Sequence, residues 1–332
     1  MPPTFDWLKA AAPVLDEISE LPLIRLVDVG NAGAAHPGHL RLAPYSSYLG
    51  FDPDQRITPS AEGSAFQQKN ILPYAVTARD TATAEFHLTE YPECSSILEP
   101  NLPAARRYSI GNFFKKTGQK SAPAITLNRA LKEAKLSGID WLKLDSQGTD
   151  LDLLQSLEPT VLNSLYRVDV EPGVSPFYHG ENGLGAMHEF MLQHGFWLAD
   201  LSLQKFPRIS PDSLNELKLS EKEMAGLKKN PFAVELSYIR AELPRTDESI
   251  SSATLISSWL IAMADGQTSH ALQLLSETNP TELGASIKQE LIRITRVETQ
   301  RGAPDRPENR SRRILRLLTP PIIPKLWNRL RR

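Results

Sequence analysis

The stretch LIRLVDVGNAG, Leu23–Gly33, decides the fold. Leu23–Val29 is an apolar run with little polar alternation, the pattern of a strand covered on both faces. Gly30 and Gly33 then allow a tight turn and close backbone approach at its end. A strand ending in such a turn predicts a ligand at the carboxyl edge of an open α/β sheet. Two details argue against a dinucleotide. Ala32 stands where the middle glycine of G-x-G-x-x-G would be, and AAHPGHLRLAP, with Pro37 and Gly38, is a poor helix to receive a pyrophosphate. Asp28 points the same way, because a carboxylate in the turn repels phosphate and suits an amino group or a sulfonium.

Outward from this stretch, further strand-length runs follow: Ser47–Pro53, Ile71–Val76, Asp140–Asp145, Leu165–Glu171, Phe196–Leu203 and Phe232–Ala241. Helical patterns lie between several of them. DLDLLQSLEPTVL follows the fourth strand, and GAMHEFMLQHG follows the fifth, ending at Gly195 as a left-handed cap. The alternation predicts an α/β fold with a doubly wound, mostly parallel sheet of about seven strands. Glu85–Tyr91 has period-2 character and predicts a hairpin plus a loop over Thr81–Ser109, with GNFFKKTGQKSAP as an exposed connection. From about Glu248 the pattern is helical. The expected organisation is a sheet domain over 1–245, a helical appendage over 246–300 and a basic, apolar tail over 301–332.

Composition narrows the function. The chain has 332 residues, 41% of them hydrophobic, enough for a large α/β domain with an appendage. A single cysteine, Cys94, excludes an internal disulfide framework and fits a reducing, cytoplasmic setting. The acidic N-terminal segment does not resemble a secretory signal, and no run is long enough to span a bilayer. The net charge of −2 conceals an asymmetry: from Arg301 onward there are ten basic and two acidic residues, on an otherwise acidic body. RRILRLL and IIPKLWNRLRR, with Trp327 among basic residues, suit either an anionic membrane surface or packing on the body or on a second subunit. Nucleic acid is not expected as a partner, given the acidic body.

The chemistry concentrates at strand ends. Asp52 in GFDPD is placed to accept hydrogen bonds from ribose hydroxyls, a feature shared by several nucleoside cofactors. IDWLKLDSQGTDLDLLQSL, Ile139–Leu157, crowds Lys143, Asp145, Gln147 and Asp150 around a strand end and a glycine turn. Lys143 and Asp145 share one face of the strand. A buried lysine is costly unless paired, so a purely structural Lys143–acid bridge is an alternative, as is a helix-start role for Asp150.

DWLKLDSQGTDLDLLQSL resembles the signature of FkbM-family S-adenosylmethionine-dependent methyltransferases. VDVGNAG, LGFDPD, ILPYAVT, CSSILEPN, the segment from VDVEPG to FWLADL, and AVELSYIRA resemble further family segments in the same order, over about residues 21–241. Asp52 and Asp150 stand where the family more often has glutamate, and Ser156-Leu157 replaces a usual Gly-Ala. The resemblance implies a seven-stranded Rossmann-like methyltransferase sheet and S-adenosyl-L-methionine as cofactor. It places Asp28, Gly30 and Gly33 at the methionine part, Asn31 among the cofactor-binding residues, Asp52 at the ribose, Pro73 to Ala75 at the adenine and Asp145 beside the sulfonium and the acceptor.

A hydroxyl acceptor must lose its proton, and Asp145, then Glu171, then His179 are the candidate bases. His36 and His39 flank the cofactor turn. Two scattered carboxylates, Asp145 and Glu171, are weak grounds for a metal, and none is expected. The expected reaction is O-methylation of a small-molecule or glycan hydroxyl, in a cytoplasmic protein placed peripherally at the inner face of the membrane or assembled as a homo-oligomer. The alternatives are an NAD-dependent oxidoreductase and a non-catalytic scaffold retaining the fold.

Overall fold

A computed structural model describes residues 6–18, 21–30, 35–53, 65–243, 251–277 and 283–301. Its elements, in chain order, are α1 (Trp7–Asp16), β1 (Ile24–Val29), α2 (Pro37–Leu42), β2 (Ser46–Phe51), β3 (Gln68–Leu72), β4 (Ala75–Val76), β5 (Thr83–Thr89), α3 (Leu102–Ala105), β6 (Lys116–Ile125) and α4 (Leu127–Glu133). There follow β7 (Trp141–Leu144), α5 (Asp150–Gln155), α6 (Pro159–Ser164), β8 (Arg167–Val170), α7 (Leu184–Gln193), β9 (Phe196–Pro207), α8 (Pro211–Leu217), α9 (Glu221–Gly226) and β10 (Lys229–Arg240). Three helices close the described chain: α10 (Ser252–Ala264), α11 (Thr268–Glu277) and α12 (Ala285–Arg301).

Seven strands form one sheet in the order β3-β2-β1-β7-β8-β10-β9. β10 is antiparallel to both neighbours and the other strands share one direction. The strand order reverses between β1 and β7, which opens a crevice at their carboxyl ends. The sheet is covered on both faces, as the unbroken apolar runs require. On one face Val27, Val29, Leu142, Leu144 and Val168 pack with Leu151, Leu153 and Met187 of α5 and α7. On the other, Ile24, Leu26, Tyr48 and Trp141 pack with α1, α2 and the three C-terminal helices. Those helices therefore share a core with the sheet.

Four local expectations are corrected. Ile71–Val76 is not one strand: Pro73 lacks the N–H a ladder needs, so β3 ends at Leu72 and β4 joins a second, three-stranded sheet, β4-β6-β5. GNFFKKTGQKSAP is not a plain connection, since Lys116–Pro123 of β6 pairs antiparallel with β5. Its polar sequence hid it, because this strand is largely exposed and held by pairing more than by burial. DLDLLQSLEPTVL makes two helices, with Pro159 opening the second. Within AAHPGHLRLAP, Pro37–Leu42 is helical after all: Pro37 takes a first-turn position and the His36 ring caps Gly38 N–H at 3.2 Å. Gly38 is needed there, because a Cβ would meet the Trp141 ring at 2.4 Å.

Arg167 fastens the C-terminal helices to the sheet. Its guanidinium lies 4.1 Å from the Trp141 ring centroid, pairs with Asp169 at 3.0 Å and contacts Asp265 at the end of α10. Asp169 also accepts the Trp141 indole N–H at 2.6 Å. Arg167→Leu should strand two carboxylates and cost about 3–5 kcal/mol of stability, measurable by urea unfolding with native-like circular dichroism at zero denaturant.

Candidate functional site

Strand register builds the site. Gly50, Asp28, Lys143, Asp169 and Ser237 are successive cross-strand partners over β2, β1, β7, β8 and β10. Two residues further toward the carboxyl ends of the parallel strands come Asp52, Gly30, Asp145 and Glu171, with Glu235 on the antiparallel β10. Backbone bonds carry the ladder past the strands: Gly30 N–H donates to Phe51 O at 2.9 Å and Asp145 N–H to Val29 O at 3.0 Å. Gly30 has φ +77°, and a Cβ there would lie 2.1 Å from Asp145 O, so only glycine lets the two tips approach.

A cleft opens at these tips, at the carboxyl ends of the strands where open α/β sheets take their ligands. Its apolar wall includes Val29, Phe51, Tyr74, Val76, Phe86 and Ile97. Asp52, Glu93 and Asp145 supply carboxylates, and no lysine or arginine is among the described lining residues. Such a donor set fits a ligand with an apolar ring, hydroxyls and positive charge, and it fits a pyrophosphate poorly.

The predicted cofactor residues divide. Gly30, Asp52, Ala75 and Asp145 line the cleft. Pro73 is exposed just outside the wall. Asn31 and Gly33 lie outside the described residues. Asp28 is not on the wall: its side chain is 1% exposed and turned toward α2. It accepts bonds from Tyr48 O–H at 3.1 Å and His36 N–H at 3.2 Å, with His39 Nδ1 at 3.6 Å. Burial works against its charge, but His39 and Lys143 hold its carboxyl below the ordinary range. Asp28 thus anchors the segment leaving the turn.

Asp145 is fully engaged. Lys143 Nζ lies 3.3 Å from Oδ2, and Gln147 Nε2 donates to Oδ1. Gln147 is held at φ +56°, unusual for a side-chain-bearing residue. It is fixed by Tyr178 O–H at 2.8 Å on its amide oxygen and by Ser96 O–H at 2.9 Å on its carbonyl. Burial disfavours the Lys143 ammonium, yet Asp145, Asp28 and Glu171 outweigh it and raise its pKa far above the ordinary lysine value.

Glu171 sits beside them at the tip of β8. Its backbone N–H donates to Asp150 Oδ2 at 2.9 Å, while Asp150 Oδ1 takes Ser146 N–H at 3.0 Å and the Ser146 hydroxyl. Among the described residues none donates a hydrogen bond to the Glu171 carboxylate. Burial, then the Asp145 charge, push its pKa well above the ordinary value, and Lys143 offsets this only in part. His36 lines the same pocket as Lys143 and Glu171. Burial lowers its pKa to about 4, so the ring is neutral near pH 7. An adjoining cavity beyond Gln147 and Glu171 is walled by Phe114, Phe177, Tyr178 and Phe232.

His179, the third candidate base, is exposed and outside these walls, its N–H bonded to Glu99 O at 2.9 Å. The neighbouring Tyr178 points inward instead. Sequence reasoning missed it, although FYHGEN held both residues. Glu181 was missed as well. It accepts Tyr178 N–H at 2.7 Å, and burial raises its pKa to about 7.

The family described as the Methyltransferase FkbM domain matches residues 33–198, half of the chain. Among solved structures, a proposed RNA methyltransferase from Pyrococcus horikoshii overlaps at TM-score 0.29 and 9% identity, over 72% of this chain and 89% of that one. A proposed S-adenosylmethionine-dependent methyltransferase from Listeria monocytogenes overlaps at TM-score 0.31 and 10% identity, over 71% of this chain and 100% of that one. An S-adenosylmethionine-dependent methyltransferase from Mesorhizobium loti gives 0.28 and 10%, over 71% and 100%. Overlaps this loose say nothing of substrate. No curated protein matches the sequence significantly.

Glu171 makes stability depend on pH. Its folded pKa lies above its unfolded one, so its contribution is present below about the ordinary 4.5 and is lost as pH rises through the raised value. Glu171→Gln should therefore melt at a higher temperature than the unaltered protein at neutral and alkaline pH. The difference should vanish in acid, a pattern that differential scanning calorimetry across pH checks.

Proposed function

The chain belongs to the FkbM methyltransferase family, and on that premise we propose that it transfers a methyl group from S-adenosyl-L-methionine to a hydroxyl of a glycan or related polyol, with Glu171 as general base. The observation that carries the assignment is the row Asp52–Gly30–Asp145–Glu171 at the strand tips, beside a cleft without basic lining residues among those described. When bound, the cofactor supplies an electrophilic methyl on a sulfonium, which is a good leaving group.

The chain's own residues then have separable tasks. Asp52 accepts from ribose hydroxyls, and Tyr74, Ala75 and Val76 border the base. Gly30 lets the backbone approach the ligand. The Asp145 carboxylate faces positive charge while Lys143 and Gln147 hold it in one orientation. That double engagement disfavours Asp145 as the base, although the sequence ranks it first. Glu171 has its oxygens uncommitted, and its raised pKa makes its ionised form a stronger base than an ordinary carboxylate. Positioning supplies the rest of the rate, because displacement at carbon needs the nucleophile in line behind the breaking bond.

A polyhydroxylated acceptor is supported by the cavity beyond Gln147. Phe114, Phe177, Tyr178 and Phe232 offer apolar walls, with carboxylate and amide groups at the rim for hydroxyls. The basic tail beyond Arg301, outside the described residues, supports placement at an anionic membrane surface. No described helix is long and apolar enough to cross a membrane.

Calorimetric titration should show binding of S-adenosylmethionine and of its demethylated product, and none of NAD. Glu171→Gln should keep that binding and lower kcat roughly 10²–10⁴-fold. The unaltered enzyme should gain activity as pH rises through the Glu171 pKa, and the variant should lose this acid limb. Tight NAD binding, or unchanged turnover in the variant, would overturn the assignment.

A further inference from the structure

β9 ends the sheet with twelve residues, and among the described residues it pairs only with β10. Long bare edges are usually shortened, covered or charged, because they recruit other strands. Leu201 and Leu203 on this edge are 47% and 40% exposed.

The direction of the free backbone groups follows from the ladder. Arg240 N–H donates to Tyr166 O on the β8 side, and Ala241 N–H donates to Gly195 O on the β9 side. Alternation then turns Glu235 toward β9, so its partner Ser202 faces inward and Leu201 and Leu203 turn their N–H and C=O groups to the open edge. The Leu201 N–H agrees with this, since among the described residues it is met only by the side chain of the adjacent Asp200, at 2.8 Å. Leu201 and Leu203 stand opposite Leu236 and Val234, both in the core, so they lie on the face that continues that core outward.

We propose that β9 pairs with β9 of a second copy of this chain, antiparallel about a two-fold axis at Ser202. A two-fold normal to the sheet keeps each face on its own side, so Leu201 meets the partner's Leu203 and Leu203 meets the partner's Leu201. Both are outward-turned and make hydrogen-bonded pairs, and the four leucines form one cluster across the axis. Asp200 meets the partner's Gln204, which places no like charges opposite each other. Gln267, which donates to Ala199 O at 3.2 Å, ends the open stretch on one side. The pairing is short, so the dimer is in concentration-dependent equilibrium with monomer. It is independent of the methyl-transfer assignment.

Ser202 supplies the test. Facing residues at a non-hydrogen-bonded pair have Cα atoms about 4.5 Å apart, within disulfide range. Ser202→Cys in the full chain should link into a covalent dimer with oxidised glutathione. The unaltered chain should not, because burial raises the thiol of its one cysteine, Cys94, to about 12. By sedimentation equilibrium the unaltered protein should be a reversible dimer. The pair Leu201→Asp with Leu203→Asp should be monomeric with unchanged circular dichroism and melting, and should abolish cross-linking of Ser202→Cys. A monomer at every concentration, or a dimer surviving both aspartates, would overturn the proposal. So would a monomer that the aspartates destabilise, which would put a segment of the same chain on this edge.

Discussion

The Lys143 ammonium is the charge on which the acidic ends of the strands depend. It lies within a buried row between Asp28 and Asp169 and directly below Asp145 and Glu171. Taken alone it would be a costly burial. Surrounded by these carboxylates it keeps its proton, and in turn it moderates their mutual repulsion. One cation cannot satisfy all of them. Asp145 is paired, Asp28 is held by His36, His39 and Tyr48, and Glu171 is left with a raised pKa. The charge imbalance of the cluster thus falls on Glu171, whose carboxylate has no hydrogen-bond donor among the described residues.

Geometry at this cluster is set by backbone approach as much as by charge. Gly30 brings the tips of β1 and β7 together, and the Asp150 carboxylate ties the turn after β7 to the tip of β8. Burial raises the pKa of Asp150, and the bonds from Ser146 and Glu171 restrain that rise. Gln147 holds a left-handed backbone conformation, a local cost of about 1–3 kcal/mol, and places its amide between Asp145 and Tyr178. Asp150 is thus more than a favourable helix start: its side chain spans two strand ends.

Much of this was legible in the sequence, and the reasons are local. Runs such as LIRLVDV and LYRVDVE announce buried parallel strands, and the two-residue spacing of Lys143 and Asp145 puts them on one face. What a single sequence does not carry is register. Asp28, Lys143 and Asp169 become neighbours only through strand pairing, so their row and the direction of the Asp28 side chain were invisible. The same limit explains His179 and Tyr178: adjacent residues in a loop, with loop geometry alone choosing which one enters. β6 was hidden for a different reason. An exposed strand held by its partner has no apolar period to detect.

The C-terminal helices support this cluster from behind the sheet. The family match ends at residue 198, inside β9, yet β10 supplies Ser237 and Glu235 to the two polar rows. Ser237 accepts from Arg167 at 3.1 Å, and Arg167 reaches Asp265 at the end of α10. Arg167 also fixes Asp169, and Asp169 holds the Trp141 indole, whose ring packs against Gly38 and His39 of α2. α2 in turn closes over Asp28. A continuous path of contacts thus runs from α10 to Asp28 near the end of β1. α10, with Asp265 at its end, is therefore part of what holds the acidic row in register.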